Sequence, residues 1–310
     1  MSERHATVLV NRGAGSGRRL GEVATLVKEL TNRGWRVSIL IPATRQDVVP
    51  SIDRAVRAGT HCLIIAGGDG TWHEAIQAQH ILCPTTDDTA VDTPGHAIPL
   101  ALLPIGTGDD NARSFHLPIA DPKATAHLVD IQATRTIDLG LVHTADSSRW
   151  FSGVLSVGFD SQVNARANGY RRLPGTFRYL VAAARELAHF SPSDYLVTTS
   201  SGSQRFTSML IAIGNGGFYG GGMAICPDFS HTDGQLDVTI IGALPRSRFV
   251  ATLPSVYSGG HIRHQAVTVL RSDVIEIEAE GQLVFADGEP VGTVPIRVEC
   301  VPHALAIIAP

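Results

Sequence analysis

The stretch that most constrains the fold of this chain is residues 62–74, CLIIAGGDGTWHE. Its first five residues are all apolar, which is typical of a central parallel strand whose two faces are both covered. Two adjacent glycines, Gly67 and Gly68, follow at once, and the residues beyond Gly70 are compatible with a helix. The segment therefore predicts a strand, a tight turn and a helix within a parallel α/β sheet.

This turn has the chemistry of a phosphate-binding loop. Gly67 and Gly68 lack a Cβ, so the backbone N–H groups of the turn and of the helix start can approach a bound anion. Asp69 lies inside the turn, and a carboxylate beside a phosphate is favourable when a divalent cation bridges them. The glycine pair alone is equally compatible with an ordinary connection between a strand and a helix.

A second turn of the same kind follows residues 98–105, IPLALLPI, which predict another buried strand. Residues 106–113 read GTGDDNAR and again combine glycine, hydroxyl and carboxylate groups. The carboxyl ends of neighbouring parallel strands meet at one edge of a sheet, where open α/β sheets bind their ligands. The alternative is that Asp109 or Asp110 simply caps a helix.

The N-terminal residues predict a third element of this type. Residues 6–10 form a short apolar strand, residues 11–17 read NRGAGSG, and residues 20–30 have helical spacing. The glycine spacing differs from the dinucleotide-binding fingerprint, which argues against a dehydrogenase. The loop is either another phosphate-binding segment, which we favour, or an ordinary flexible loop.

Composition excludes several classes of protein. The chain has 310 residues, 44% of them hydrophobic, which is enough for two domains with separate cores. The net charge of −4 argues against a nucleic-acid-binding surface. The four cysteines have no metal-binding spacing, and the N-terminus lacks a signal-peptide pattern, so we expect a reducing, cytoplasmic location. The sequence contains no apolar run of about 18 residues, so no transmembrane helix is predicted.

The sequence pattern changes near Asp138. Beyond it, short apolar runs bounded by Gly, Ser, Asn and Asp recur, which is the rhythm of an antiparallel β domain. Residues 174–190 are the one clear helical pattern there. We therefore predict an α/β domain over residues 1–137 and a β-rich domain over residues 138–302.

The string GGDGT with Glu74 resembles the diacylglycerol-kinase catalytic-domain family, which includes bacterial lipid kinases and sphingosine kinases. GGDGT also occurs in NAD kinases, so it indicates the superfamily rather than the substrate. The segments that resemble the family are NRGAGSG at 11–17, GGDGT at 67–71, GTGDDNAR at 106–113, SVGFD at 156–160, NGGFYGGGMAICP at 215–227, SHTDGQLD at 230–237 and FADGEP at 285–290. The resemblance thus covers essentially the whole chain.

The resemblance implies an ATP-dependent kinase that phosphorylates a lipid hydroxyl with the help of Mg²⁺. It implies a Rossmann-like three-layer parallel domain that binds the nucleotide, an antiparallel β-sandwich domain that binds the lipid, and an active site in the cleft between them. Residues 303–310 would return to the first domain. A lipid acceptor implies peripheral contact with a membrane surface. The acceptor could be diacylglycerol, a sphingoid base, a phosphatidylglycerol-like lipid or another long-chain alcohol, and the oligomeric state is open, a homodimer included.

The resemblance also implies roles for particular residues. Glu289 would be the general base. The catalytic Mg²⁺ would be organised by Asp69, Asp110 and Asp160, directly or through water. Asp109 stands where the family has Asn, so either Asp109 or Asp110 could serve, and we favour Asp110. The residues expected to bind the nucleotide are Asn11, Gly15, Gly17, Thr44, Gly67, Gly68, Asp69, Gly70, Thr71, Glu74 and Thr107.

A structural Mg²⁺ would be bound by the side chain of Asp233 and by the backbone carbonyls of Ser230 and Gln235. Plain structural alternatives exist for three of these assignments: Thr44 as a helix cap, Asp160 as a turn residue and Asp233 as part of a hairpin turn. Two other functions remain open, namely an NAD kinase of the same superfamily and a nucleotide-binding regulator without catalytic activity.

Overall fold

The computed structural model of this chain describes residues 4–11, 17–82, 98–170 and 175–310. The chain divides into two compact units. Unit 1 comprises residues 1–137 and 303–310, and unit 2 comprises residues 138–302. Each unit has its own hydrophobic core.

Unit 1 is built on a parallel sheet. Its elements are β1 (His5–Val10), α1 (Gly17–Asn32), β2 (Arg36–Leu40), α2 (Val48–Arg57), β3 (Cys62–Gly67), α3 (Asp69–Leu82), β4 (Leu100–Pro104), α4 (Asp110–Ser114), α5 (Pro122–Asp130), the start of β5 (Thr134–His143) and the end of β17 (Ile296–Ile308). Parallel pairing gives the strand order β2-β1-β3-β4-β17. The final strand of the chain thus completes the sheet of unit 1.

Helices cover both faces of this sheet, which explains why β1, β3 and β4 are buried along their whole length. Side chains alternate between the faces. Ile64 and Leu103 belong to the core that includes residues of α1 and α5. Leu63 and Leu100 line a small apolar space with Ile52 of α2. Unit 1 therefore has the three layers expected of a Rossmann-like domain.

Unit 2 is antiparallel. Its elements are the rest of β5, β6 (Ser148–Phe151), β7 (Val154–Gly158), α6 (Phe159–Gly169), α7 (Gly175–His189), β8 (Ser193–Thr199), β9 (Gly202–Gly214), β10 (Phe218–Tyr219), β11 (Met223–Ala224), β12 (Leu236–Gly242), α8 (Arg246–Val256), β13 (Val267–Ser272), β14 (Val274–Glu278), β15 (Leu283–Ala286), β16 (Glu289–Thr293) and the start of β17. The long strand β9 pairs with β7, β8 and β12. β15 pairs with β7 and β16, and β14 pairs with β8 and β17.

Two helices of unit 2, α6 and α8, have no clear signal in the sequence. α6 begins directly after β7, with no connecting segment that would mark its start. α8 contains Pro254 and buries only Phe249 and Val256. Neither helix has a strong repeat of apolar residues at helical spacing. Aromatic contacts hold these helices together, because the Phe159 ring lies 5.4 Å from that of Phe190 and 5.1 Å from that of Phe249. None of the helices in the described part of the chain has the length and apolar character needed to span a bilayer.

Burial of His80 in α3 makes a pH effect on stability testable. The side chain is 8% exposed, its Nδ1 lies 3.0 Å from the carbonyl oxygen of Ile76, and burial lowers its pKa below 6.5. Because the unfolded chain protonates this histidine first, the wild type should lose stability as the pH falls from 6.5 towards the folded-state pKa. His80→Gln should therefore gain stability relative to wild type over that range, as measured by urea unfolding. The exposed His127→Gln is the control, and an equal shift in both variants would contradict the assignment.

Candidate active site

The β3–α3 and β4–α4 turns of unit 1 are in direct contact. The N–H of Ile105 donates to the carbonyl oxygen of Gly67 at 3.1 Å. A Cβ added to Gly106 would lie 2.6 Å from the Cα of Gly68, and one added to Gly68 would lie 3.0 Å from the Cα of Gly106. Only glycine fits at these two positions, because the backbones approach too closely for a side chain.

Asp69 joins the two turns. It lies in the first turn of α3, whereas the sequence pattern predicted that it would lie in the loop before that helix. Its Oδ1 accepts the backbone N–H of Asn111 at 2.9 Å and the side-chain amide of Asn111 at 3.1 Å, and its Oδ2 accepts the N–H of Asp110 at 3.2 Å. The carboxylate thus binds the first N–H groups of α4, which a helix cannot satisfy itself. No pattern in the sequence indicated the contribution of Asn111.

The two neighbouring aspartates, Asp109 and Asp110, differ in their surroundings. Asp109 has a left-handed backbone, with φ of 54°, and its Oδ1 accepts the N–H of Gly106 at 2.9 Å. Burial, followed by the charge of Asp69, raises the pKa of Asp109. Asp110 instead lies 3.5 Å from the guanidinium of Arg113. Asp109 therefore closes its own turn, whereas the carboxylate of Asp110 lies near Arg113 of α4.

Three further candidates of unit 1 border these turns. The amide of Asn11, at the end of β1, donates to the hydroxyl of Thr71 in α3 at 2.9 Å. Thr107 is exposed in the β4–α4 turn, and Gly70 is the second residue of α3. The other two glycine candidates come from the first loop. Gly17 begins α1, and Gly15 lies outside the described residues.

Thr44 and Glu74 are connected through Arg45. Thr44 precedes a short 3-10 helix, Arg45–Asp47, and both its N–H and its hydroxyl donate to Oδ2 of Asp47, at 2.8 and 2.9 Å. The guanidinium of Arg45 donates to Oε1 of Glu74 at 2.6 Å. The Thr44 loop is therefore tied to α3. The sequence carries no signal for this ion pair, because its partners are separated by 29 positions.

In unit 2, Glu289 is the first residue of β16 and is half-buried. It follows a two-residue turn, Asp287 and Gly288, with φ of 50° and 80°, which suits a tight β-hairpin. The carboxylate of Asp287 accepts the N–H groups of Ser152 and Gly153 at 3.2 and 2.9 Å. Asp287 therefore anchors the turn that carries Glu289. The Asp-Gly pair predicts the turn, but no local pattern indicates this anchor, because Ser152 and Gly153 are more than 130 positions away.

Asp160 lies in the first turn of α6 and is half-buried. Its Oδ2 accepts hydrogen bonds from the hydroxyl of Ser156 at 2.8 Å and from the amide of Asn164 at 2.9 Å. Burial raises the pKa of Asp160 to about 6, while these two hydrogen bonds act in the opposite direction. The carboxylate is thus held in a defined position and is more than a solvated turn residue.

The loop before β12 carries Ser230, Asp233 and Gln235. Oδ1 of Asp233 accepts the N–H of Gln235 at 3.1 Å, and Oδ2 pairs with the guanidinium of Arg271. The same guanidinium lies 3.0 Å from Oδ1 of Asp237. Oδ2 of Asp237 is buried and has no hydrogen-bond partner within the described residues. The carboxylates of Asp233 and Asp237 share the single guanidinium of Arg271, which leaves an excess of negative charge at this loop.

The residues of unit 1 are better suited to a Mg²⁺ ion that binds together with phosphate groups than to an ion held by the protein alone. Within residues 4–11, 17–82, 98–170 and 175–310, no group of three or more His, Cys, Asp or Glu side chains is placed to hold a metal. However, a Cβ on Gly108 would lie 2.9 Å from Oδ2 of Asp69 and 3.5 Å from Oδ2 of Asp110, so both carboxylates border one small space. Mg²⁺ is usually bound by one or two carboxylates together with water and substrate phosphates.

In unit 1, two glycine-containing turns with carboxylates lie in contact at the ends of neighbouring parallel strands. This arrangement is typical of phosphate-binding α/β proteins. Residues 5–142 match the model of the diacylglycerol kinase catalytic domain, and residues 153–309 match that of the YegS C-terminal NAD kinase beta sandwich-like domain. The chain belongs to the family that these two domains define. The resemblance noted in the sequence and the predicted fold class are thereby confirmed.

Individual relatives align over nearly the whole chain. The "Diacylglycerol kinase" of Mycobacterium tuberculosis (strain ATCC 25618 / H37Rv) is 32% identical, and the alignment covers 98% of this chain and 94% of that protein. The "Probable lipid kinase YegS-like" of Xanthomonas euvesicatoria pv. vesicatoria (strain 85-10) is 30% identical, with 100% and 97% covered. A crystal structure of a diacylglycerol kinase from Bacillus anthracis str. Sterne shares the fold, with a TM-score of 0.72 at 16% identity over 100% of this chain and 98% of that one.

Proposed function

We propose that this chain is an ATP-dependent lipid kinase that transfers the γ-phosphate of ATP to the hydroxyl of a diacylglycerol-like lipid. Relatives named as a diacylglycerol kinase and a lipid kinase, at 32% and 30% identity over almost the full chain, support a kinase with an alcohol group as acceptor. The structural observation that carries the proposal is the junction of the β3–α3 and β4–α4 turns, where Asp69 binds the N–H groups of residues 110 and 111.

Phosphoryl transfer requires mainly that groups be positioned and charge be neutralised. Gly67 and Gly68 lie at the end of β3, directly before α3. Backbone N–H groups at such a helix start could bind the nucleotide phosphates. The hydrogen bond from Asn11 to Thr71 links the first loop to the same place. Thr107 would add a hydroxyl contact, and the ion pair of Arg45 with Glu74 would hold the Thr44 loop beside the nucleotide.

Mg²⁺, when bound with the nucleotide, would neutralise charge on the phosphates. Asp69 and Asp110 would hold the ion, because the Oδ2 atoms of both carboxylates border one small space. Asp160 would contribute through water. A second, structural Mg²⁺ would be held by Asp233 and the carbonyls of Ser230 and Gln235. The unpartnered buried oxygen of Asp237 supports a cation in that loop.

Glu289 would accept the proton of the lipid hydroxyl as it attacks the γ-phosphate. A general base must be held in place before the reaction, because small displacements are costly. The β15–β16 hairpin, whose turn is Asp287 and Gly288, supplies that support. The N–H groups of Gly153 and Ser152 donate to the carboxylate of Asp287 at 2.9 and 3.2 Å. Asp287 thus acts as a positioning residue for Glu289.

A phosphorylation assay with several acceptors tests the proposal. The purified chain would be given radiolabelled ATP, Mg²⁺ and, in separate detergent micelle samples, diacylglycerol, a sphingoid base or phosphatidylglycerol, and NAD in a further sample. Mass spectrometry of the product should identify a lipid phosphate. Formation of NADP would favour the NAD kinase alternative. ATP binding without any product would favour a non-catalytic regulator, and either result would overturn the proposal.

A further inference from the structure

Asn215 is a buried asparagine that directly follows the long strand β9 of unit 2. Its residue is 0% exposed. Gly214, the last residue of β9, pairs with Val154 of β7 on one side and with Asp237 of β12 on the other. A Cβ added to Gly214 would lie 2.6 Å from the carbonyl oxygen of Gly216, which leaves no room for a side chain. The backbone that carries Asn215 is therefore held in one position by its neighbours.

The side-chain amide of Asn215 joins two separate segments of unit 2. Its Nδ2 donates to the carbonyl oxygen of Asp138 in β5 at 2.9 Å and to that of Ser152 at 3.2 Å. Carbonyl oxygens can only accept hydrogen bonds, so the amide nitrogen and not the amide oxygen must face them. The amide of Asn215 therefore fixes the position of Ser152 relative to β5.

The oxygen of the same amide is not satisfied. Oδ1 of Asn215 is buried and has no hydrogen-bond partner within the described residues. A buried acceptor without a donor lowers the stability of the folded chain. An apolar side chain would avoid this loss, but it would also give up both bonds to the carbonyl oxygens. Local departures of this kind are expected at functional sites rather than in an ordinary core.

The β6–β7 connection, Ser152 and Gly153, is held from two sides. On one side, the carbonyl oxygen of Gly153 accepts the backbone N–H groups of Asn215 and Gly216 at 3.0 and 2.8 Å. On the other side, the N–H groups of Ser152 and Gly153 donate to the carboxylate of Asp287 at 3.2 and 2.9 Å. Asn215 and Asp287 thus contact the same short connection from opposite directions.

We propose that Asn215 is a positioning residue for Glu289 and that it acts through the β6–β7 connection and Asp287. Asp287 lies two positions before Glu289, in the turn of the β15–β16 hairpin. Without the amide of Asn215, the connection would be released, and its N–H groups would no longer hold Asp287 in a fixed place. A displacement of about 1 Å near the reacting groups can lower a rate by about 10²-fold. The inference rests on the proposed function, in which Glu289 is the general base.

Steady-state kinetics of Asn215→Ala test the inference. The variant should lose roughly 10- to 100-fold in kcat for lipid phosphorylation. Its KM for ATP should stay close to that of wild type, because the residues proposed to bind the nucleotide belong to unit 1. Calorimetric titration with ATP counts the folded enzyme, so that kcat is expressed per binding site. Asn215→Ser keeps a donor on a shorter side chain and replaces the alanine variant if that protein does not fold.

Thr239→Val serves as the control for lost stability. Thr239 is also 0% exposed and lies in β12 of the same unit. Its hydroxyl donates to the carbonyl oxygen of Ile225 at 2.9 Å, so valine removes a buried hydrogen bond that does not involve the β6–β7 connection. The variant should unfold at lower urea concentration than wild type and keep the wild-type kcat. An equal loss of kcat in Asn215→Ala and Thr239→Val would mean that Asn215 acts only through general stability, and the inference would be wrong.

A double-mutant cycle tests the route through Asp287. Asp287→Gly removes the carboxylate, and glycine tolerates the φ of 50° at this position. If Asn215 acts through Asp287, Asn215→Ala/Asp287→Gly should be slower than Asp287→Gly by less than about threefold. Losses that multiply in the double variant would show two independent effects and would overturn the proposed route.

Amide hydrogen exchange of Ser152 and Gly153 provides a measurement that needs no substrate. Both N–H groups should exchange several-fold faster in Asn215→Ala than in wild type, and at the wild-type rate in Thr239→Val, because only the first variant releases the connection. If the wild type forms no lipid phosphate, the proposed function fails, and these exchange rates decide whether Asn215 holds the connection. An active wild type together with unchanged kcat or unchanged exchange in Asn215→Ala would refute the inference alone.

Discussion

Replacing Glu289 by Gln is expected to lower the turnover number for lipid phosphorylation by about 10²–10⁴-fold, because general-base catalysis contributes on this scale. The amide keeps the shape of the side chain but cannot accept the proton of the acceptor hydroxyl. The affinity for ATP should change little, since the residues proposed to bind the nucleotide belong to unit 1. Steady-state kinetics with detergent-dispersed diacylglycerol and calorimetric titration with ATP measure the two quantities.

The matched control for this experiment is Glu280→Gln, which changes an exposed glutamate of the same unit. It should leave turnover close to that of wild type. A Glu289→Gln variant that turns over at the wild-type rate would reject the role of general base. A variant that loses ATP affinity as strongly as turnover would mean that Glu289 acts on nucleotide binding instead.

Gly106→Ala is expected to destabilise unit 1 by about 1–3 kcal/mol and to weaken ATP binding severely, because overpacking of a closely packed site displaces the backbone. The new Cβ would lie 2.6 Å from the Cα of Gly68 and 2.6 Å from Oδ1 of Asp109. The carboxylate of Asp109 could rotate away, but the backbone contact with Gly68 could be relieved only if the two turns separated. Denaturant unfolding and nucleotide titration report the two effects.

Gly21→Ala is the control for the glycine substitution. Gly21 lies within α1, and a Cβ added there would meet nothing within 4 Å. This variant should gain roughly 0.5–1 kcal/mol of stability, because alanine is a better helix former than glycine. Unchanged stability and ATP affinity in Gly106→Ala would show that the close contact of the two turns is not needed for nucleotide binding.

Much of the architecture could be predicted from local patterns. Uniformly apolar strands such as 62–66 and 98–105 can be buried only in a parallel sheet covered on both faces, and helices were expected after both. The short runs beyond Asp138 likewise indicated antiparallel strands. Helix α8 escaped prediction because it contains Pro254 and has few buried positions. Helix α6 escaped prediction because it begins directly after β7, with no connecting segment between them. Their placement depends on the contacts among Phe159, Phe190 and Phe249, which are distant in sequence.

By itself, the sequence determined the class of protein, the order of the sheet types and the short segments that carry glycine and carboxylate groups, because each depends on neighbours along the chain. Only the tertiary structure decided which groups share a site. Asp69 contacts residues 41 and 42 positions away. Folding alone likewise brings together the groups that give Asp109 and Asp110 separate environments. The same holds for the N–H groups through which Asp287 anchors the Glu289 hairpin. Such contacts leave no periodic or local trace, which is why no pattern in the sequence could indicate them.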